Sequence, residues 1–443
     1  MLHNLGYWNC DSAVNILRCP TFFSDHDSIA SHTSHRPMLS RLKLTFAVIL
    51  LLPAIVLPAP AAAQSPLLAA EQNPDEWKAI QPSLGISFDF DSNIYDSSTS
   101  VESWIGIVKP AILFSTAPAP QRFGLLYQGD YGYFFDESAD DYTDHVLSGG
   151  AQFQLGSRGQ VELAAATEKG HWDRGSYQTE GIDPTSPFFP GEPDEFDRNK
   201  WGGKFQYGAE GNRGRLRFGF GGNQLDYTNN RERTRFLDYD VQYGTAGLSL
   251  LFHQRTAIVL DAVFADIRYE RDRPGEASFE SEDWRYLLGV TWEATAKTAG
   301  SIRLGTERRR FDDPARGTTS NPSWEVDVRW SPLERSHFDF VTSRENEETF
   351  GEGDFIDTTE YRVTWTHQWS PGWESVTSWA RSDSEFVESM RDQDSSRFYV
   401  GLRYPQGRLL IWEVSFERRS RDSNRSDLVY DGNLFSIGVN IGI

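Results

Sequence analysis

Cysteine is nearly absent from this 443-residue chain, and its two copies, Cys10 and Cys19, both lie close to the N-terminus. The long remainder can hold no disulfide, no zinc–thiolate centre and no thiol nucleophile. Positive charge is in deficit, with 43 Lys and Arg against 64 Asp and Glu and a formal net charge of −21. That balance argues against a nucleic acid partner. Long apolar runs are scarce as well. One spans Leu44 to Leu57, and no later run approaches the length of a membrane-spanning helix. There is no metal-spaced histidine pair and no phosphate-cradling glycine loop. What is abundant is aromatic: 14% Phe, Trp and Tyr within an overall hydrophobic content of only 38%. This combination is unusual for a globular core but suits a barrel with a polar lumen and aromatic girdles on its outer wall.

The one apolar run has the layout of an export signal. Arg41 and Lys43 precede it, and Ala61–Ala63 follow it as small residues for cleavage before Gln64. Met38 stands where such a signal would begin. The expected organisation is therefore residues 1–37 as an over-extended start or unstructured leader, 38–63 as a cleaved signal peptide, 64–80 as a periplasmic N-terminal segment and 81–443 as the barrel. The competing reading of the run, a buried core helix, does not account for the small-residue ending.

Beyond residue 80 the dominant pattern is a strict two-residue alternation. The last stretch places Phe435, Ile437, Val439, Ile441 and Ile443 on one face, with small or polar residues between them. A terminal strand of this kind is what a barrel needs to close against its first strand. The same alternation puts Trp284, Tyr286, Leu288, Val290 and Trp292 opposite Arg285, Thr291 and Glu293, and Trp324, Val326, Val328 and Trp330 opposite Glu325, Asp327 and Arg329. Tyr361, Val363, Trp365 and Trp369 stand opposite Arg362, and Leu410, Trp412, Val414 and Phe416 opposite Glu413 and Glu417. A soluble β-sandwich also alternates, but it rarely charges every polar-face position and brackets its strands with bulky rings. Tight turns recur at 117–120, 156–159, 210–214, 253–255, 297–300, 331–334, 370–372 and 405–408. Each interval holds two strands of membrane-spanning length and one longer loop. The expected fold is all-β: a single transmembrane antiparallel up-and-down β-barrel of about eighteen strands, or sixteen if a terminal hairpin is misread, with short periplasmic turns and long outer loops.

The opening hairpin carries a family cue. Leu84-Gly-Ile-Ser-Phe-Asp-Phe-Asp-Ser-Asn-Ile-Tyr95 leads through a polar loop to an alternating stretch from Trp104 to Phe114. Asp89, Asp91 and Asn93 begin like a calcium loop, but Ile94 and Ser100 occupy the places of its obligatory Gly and Glu, so an EF-hand is excluded. The hairpin instead resembles the beta-barrel porin 2 and EpsL-like outer-membrane barrels, found with exopolysaccharide-export genes, which open with a strand ending in an Asp-x-Asn-Ile/Val pattern. The resemblance implies an outer-membrane barrel tied to surface polysaccharide. It brings no catalytic residues and no cofactor.

The remaining chemistry lies on the polar face of the strands. Arg285, Glu293, Glu325, Asp327, Arg329, Arg362, Arg403, Glu413 and Glu417 are expected to line the lumen, with Glu162, Lys200, Lys204, Arg215, Arg217 and Arg303 on the same face. Opposed charges across a pore set a selectivity field; the alternative is a lumen sealed by ion pairs. The Pro-rich loop from about 173 to 198 is the candidate plug, and residues 65–80 a second. Acidic clusters at 136–144, 192–197, 345–354 and 383–394 read as solvated outer loops, or as holders of divalent cations beside lipopolysaccharide phosphates. His171, near Glu168 and Asp173, is the best place for a hydrolytic site, yet no serine stands beside it in a nucleophile setting. Two functional readings follow: a channel with no chemical step, and a closed structural or binding barrel whose outer loops meet polysaccharide or a partner. A hydrolase is remote. The expected partners are outer-membrane lipid and lipopolysaccharide, the barrel-assembly machinery and exopolysaccharide-export components.

Overall fold

The computed structural model describes residues 79–443 apart from 117–119, 209–211, 254, 296, 350–351, 371 and 443. The expected leader and signal peptide, and all but the end of the 64–80 segment, lie outside the described residues, as does Ile443. Eighteen strands follow one another: β1 (Ile80–Asp91), β2 (Ser103–Ser115), β3 (Gln121–Phe134), β4 (Tyr142–Leu155), β5 (Gly159–Trp172), β6 (Asp194–Tyr207), β7 (Gly214–Tyr227), β8 (Tyr239–His253) and β9 (Thr256–Tyr269) form the first half. The second half comprises β10 (Ser281–Thr295), β11 (Thr298–Phe311), β12 (Thr318–Leu333), β13 (Ser336–Glu347), β14 (Ile356–Ser370), β15 (Trp373–Phe386), β16 (Asp392–Gln406), β17 (Leu410–Ser423) and β18 (Tyr430–Gly442).

Every strand pairs antiparallel with its neighbours in sequence, and β18 pairs back onto β1, so the sheet is closed. Closure leaves no unpaired edge, which is the condition for crossing a bilayer with strands. No helix among the described residues is long and apolar enough to cross a membrane. The seam matches lipid-facing residues in register: Phe90 with Phe435, Phe88 with Ile437, Ile86 with Val439 and Leu84 with Ile441. All eight expected turns fall at junctions between consecutive strands at one end of the barrel, although 298–300 and 331–333 are themselves strand, and nine loops lie at the other. The strands are longer than the membrane requires. Fourteen residues extend roughly 46 Å, and even tilted they overshoot an apolar band of about 25 Å. The excess stands above the membrane at the outer end. This corrects the placement of the acidic clusters, since Asp194, Glu195, Asp197, Glu345, Glu347, Asp383, Glu385, Asp392 and Asp394 lie in strands rather than loops. The loop after β5 is correspondingly 173–193.

The two faces of the wall are chemically distinct. On β10, Trp284, Tyr286, Leu288 and Val290 are exposed on the outside, while Asp283, Arg285 and Leu287 between them are buried. Cross-strand partners share a face, so the register carries this division around the ring.

Candidate functional site: a charged lumen and a loop across its mouth

Followed through the register, all nine singled-out charges fall on the inner face. Arg285 pairs in register with Glu307, Arg329 with Asp339, Arg362 with Val341, Tyr399 with Glu417 and Arg403 with Glu413. They do not stand free in the lumen. Arg285, only 1% exposed, donates to Glu325 at 2.8 Å and to the Ser323 hydroxyl at 2.7 Å, and lies 3.6 Å from Glu345. Arg303 shares Glu325 at 3.1 Å. Arg329 is paired with Asp339 at 2.6 Å, Arg362 with Glu360 at 3.0 Å, Arg403 with Glu413 at 3.3 Å and Glu417 with Arg397 at 3.1 Å. Asp327 is buried in the same wall, and Glu293 stands exposed at the periplasmic rim. Opposite charges on adjacent strands neutralise one another at close range, so little net field is left to act across the lumen.

The Asp-x-Asn pattern of the opening hairpin has a structural explanation. Asn93 is fully buried, and its side-chain amide donates to the carbonyls of Ser97 and Asp431 at 2.9 and 3.1 Å. Asp91 accepts the Asn93 backbone N–H at 2.9 Å and Arg419 at 2.7 Å. The motif thus ties the first loop to β17 and to the start of β18, bracing the seam at its outer end.

The loop 173–193 is anchored at both ends of a path across the lumen. At its root Arg174 donates to both Asp140 oxygens at 2.7 and 2.6 Å, to the Tyr95 hydroxyl at 2.6 Å and to the Pro190 carbonyl at 3.1 Å. Burial raises the Asp140 pKa despite this cation, and it also raises that of Tyr95, which is further disfavoured as an anion by the neighbouring Asp140. Gly175 adopts φ +87°, and a Cβ there would lie 2.1 Å from the Tyr95 carbonyl oxygen, so the chain can take this path only with glycine. Further along, Tyr177 stacks near Trp172 and packs against Ile356 and Phe386. Glu180 then accepts Arg391 at 2.6 Å and Arg421. Ile356, Phe386 and Arg421 belong to the outer ends of β14, β15 and β17, whereas the loop springs from β5 and β6. In a ring of eighteen, β14 and β15 stand opposite β5 and β6. The loop therefore spans the mouth.

A second loop, 348–355, joins it. Glu348 accepts Arg309 at 2.5 Å and the Tyr269 hydroxyl at 2.8 Å, Phe355 is completely buried beneath the Arg309 guanidinium, and Glu352 lies 3.3 Å from Arg391. Arg391 is thus gripped by both loops. Beside them the inner faces of β6 to β9 carry an apolar layer that includes Phe196, Leu225, Tyr239, Val241 and Ile267. Glu180, Arg391 and Arg421 were not singled out in the sequence. The available signal was that Arg421 continues the inner parity of Glu413 and Glu417 into the part of β17 that projects beyond the membrane.

His171 does not form a hydrolytic centre. Its Nδ1 lies 2.9 Å from Asp144 and its Nε2 3.2 Å from Asp173, with the ring stacked on Tyr142. Ionised carboxylates only accept, so both nitrogens donate and no lone pair remains to act as a base. No group of residues able to hold a metal ion occurs among the described residues.

Residues 259–442, from β9 to the last strand, match the family model described as "Putative beta-barrel porin 2". The match lies in the second half of the barrel, apart from the opening hairpin that carries the Asp-x-Asn cue. No curated protein matches the sequence. Among solved structures, OccK2 (OpdF) of Pseudomonas aeruginosa is 12% identical with a TM-score of 0.46, covering 82% of this chain and 98% of its own. A BenF-like porin from Pseudomonas fluorescens Pf-5 is 12% identical at 0.46, covering 83% and 99%. The siderophore receptor PirA of Acinetobacter baumannii is 7% identical at 0.43, covering 82% and 80%. The closed eighteen-strand barrel, with a family match over less than half of the chain, supports a porin-like barrel of the bacterial outer membrane.

Proposed function

We propose that the protein is a gated outer-membrane channel, closed at its outer mouth by the loop 173–193, with its work tied to surface polysaccharide. The observation that carries the gating is the pair of contacts from Glu180 to Arg391 and Arg421, on the wall opposite the loop's own root. Barrels of this strand number enclose a water-filled channel unless something fills them. Here the filling element is attached at its far end by ion pairs rather than by a strand or a large apolar face, so it can leave without unfolding the wall. When it leaves, hydrated solute passes along the charged inner face, with Arg285, Glu293, Glu325, Asp327, Arg329, Arg362, Arg403, Glu413 and Glu417 as its lining.

The tie to polysaccharide rests on the family resemblance. It predicts exopolysaccharide-export components as partners, lipopolysaccharide around the acidic outer rim, and recognition of the closing strand by the barrel-assembly machinery. The experiment is planar-bilayer conductance of the refolded barrel, intact and lacking residues 176–190. Conductance that rises on deletion supports a gated channel. Silence in both, from a barrel shown to be folded, favours the second reading, a closed binding barrel. Extracellular polysaccharide measured in cells with and without the gene tests the association separately.

A further inference from the structure

The cations of the lumen are paired almost without exception. Lys109 is held by Asp130, Arg198 by Glu168, Arg217 by Asp261, Arg309 by Asp283, and Arg419 by Asp91. Lys200 differs. It lies in the middle of β6, on the inner face, opposite Ala166 of β5 and Asn223 of β7. Among the described residues it has neither a carboxylate partner nor a hydrogen-bond acceptor. Directly across the two ladders stand apolar Ala166 and neutral Asn223, and Arg198, two residues away on the same face, is a second cation; the nearest inner-face carboxylate, Glu168, lies diagonally on β5 and is already engaged by Arg198 at 3.4 Å.

The wall around Lys200 is shaped as well as charged. Towards the periplasm the next inner positions are Gly202 on β6, Ala164 on β5 and Gly221 on β7, which form a floor without bulk. The Tyr243 hydroxyl lies over this floor, 3.1 Å from where a Gly202 Cβ would stand and 2.4 Å from that of Gly221. On the outer side stand Phe196, Leu225 and Tyr239 of the apolar layer, with Val241 level with Asn223 on β8. The Asn223 carbonyl oxygen is buried with no hydrogen-bond donor, while its amide reaches the Tyr239 hydroxyl at 3.5 Å. In the adjoining row, Ser148, almost wholly buried, has a hydroxyl without a partner. A cation with no ion pair of its own, sharing Glu168 with Arg198, beside polar atoms without partners is costly unless something occupies the space.

We infer that Lys200 and Asn223 form a solute subsite for a small hydroxylated carboxylate, of the kind a sugar acid presents. The carboxylate pairs with the Lys200 ammonium and a solute hydroxyl donates to the Asn223 oxygen, beside the Tyr243 side chain that the glycines accommodate. This rests on the channel reading, since the solute reaches the recess only through an open lumen. The paired cations elsewhere offer no such site, because a passing anion would have to displace an existing carboxylate.

The test uses the full mature barrel carrying the 176–190 deletion, in KCl, with gluconate as probe and sorbitol as its neutral counterpart. Gluconate should block the open current in a concentration-dependent way and sorbitol should not. Lys200→Gln should weaken the block about tenfold, as expected for loss of one charge-assisted hydrogen bond in a confined site. Lys200→Arg should restore most of the block, and Lys169→Gln, on the outer face, serves as the control. Equal block by gluconate in the Lys200→Gln and parent barrels would overturn the inference while leaving the channel intact. If no variant conducts, the channel reading fails instead. Calorimetric titration of gluconate into the detergent-solubilised barrel then decides the subsite alone: binding lost in Lys200→Gln sustains it, and no binding to the parent refutes it.

Discussion

Removing the Glu180 carboxylate should open the mouth. In the closed arrangement this side chain is buried between two guanidinium groups, themselves buried, one of them at 2.6 Å. Breaking a buried pair by deleting one partner costs about 3–5 kcal/mol, because the surviving charge is left uncompensated. Arg391 would not be left wholly uncompensated: Glu352 lies 3.3 Å away and Gln393 accepts from it at 2.5 Å. Arg421 keeps the face of Tyr430 at 5.0 Å. The lower end of the range, about 3 kcal/mol, is therefore the appropriate figure. The loss falls on the closed state alone, since in the open state Glu180 is away from both cations. The closed-to-open equilibrium should shift by about a hundredfold, at 1.4 kcal/mol per factor of ten. The assay is single-channel open probability of Glu180→Ala against the parent, with Asp183→Ala as a control on the same loop outside the latch. Arg421→Gln should open the mouth less, because Arg391 still holds Glu180, and adding it to Glu180→Ala should change little, because the Glu180–Arg421 contact is already gone. An open probability unchanged in Glu180→Ala, or strict additivity in the double variant, would refute the latch.

Five further outcomes are expected. Arg285→Ala should destabilise the folded barrel by about 3 kcal/mol or more, measured by urea unfolding in lipid vesicles, since it removes a buried cation from between Glu325 and Glu345. Arg362→Gln, by contrast, changes a more accessible lumenal charge and should shift the reversal potential in a salt gradient through an open variant. Asn93→Ala should leave the carbonyls of Ser97 and Asp431 without a donor at the seam, costing about 1–3 kcal/mol and lowering the temperature at which the barrel unfolds on a semi-native gel. Leu304→Arg, on the lipid face of β11 where the side chain is 58% exposed, should cost about 2–4 kcal/mol in vesicles and little in the open current. Acidification should not release the loop at its root: Asp140 has a folded-state pKa raised by burial, so its contribution is fully present below the ordinary carboxylate value and lost as pH rises through the raised one. Protection of the Gly175–Thr179 amides from hydrogen exchange that falls on going from neutral to mildly acid pH would contradict this.

The barrel was legible because its rules are local. Alternation sets the face of each residue, turn residues such as Gly156, Gly372 and Gly407, all at positive φ, mark where strands reverse, and antiparallel neighbours in sequence become neighbours in space. Those rules suffice to place Arg329 and Glu413 on one face and to give eighteen strands. They do not say which carboxylate each arginine meets, because that depends on register between strands and on rotamers reaching diagonally, as when Arg285 crosses from β10 to Glu325 on β12. They also fail where the strands outrun the membrane. Glu345 and Glu347 look like loop acids because the sequence there becomes polar on both faces, yet the ladder continues through them. The latch is least legible of all. Glu180 and Arg421 are 241 residues apart, and no periodicity links a loop to the far side of a ring.

The choice of ion pairs to hold the loop bears on how it opens. An apolar plug of the same size would gain from the hydrophobic effect and could be released only by exposing its face to water. Charged contacts lose less, because each guanidinium and carboxylate regains hydration when it leaves. Here the two kinds are divided along the path. Tyr177 on the Ile356–Phe386 pair supplies an apolar contact, and Glu180 supplies the charged one at the end. A gate so built is held shut by a few contacts whose loss is compensated by water, and it is shifted by anything that competes for Arg391 or Arg421. An anionic group arriving from outside meets exactly those two cations in place of Glu180. The same chemistry that would bind at Lys200 further down the lumen would therefore favour the open mouth. The two sites can be separated experimentally: Lys200→Gln should weaken block by gluconate in the loop-deleted barrel, and opening of the intact barrel by gluconate added on the outer side should depend on Arg391 and Arg421 instead.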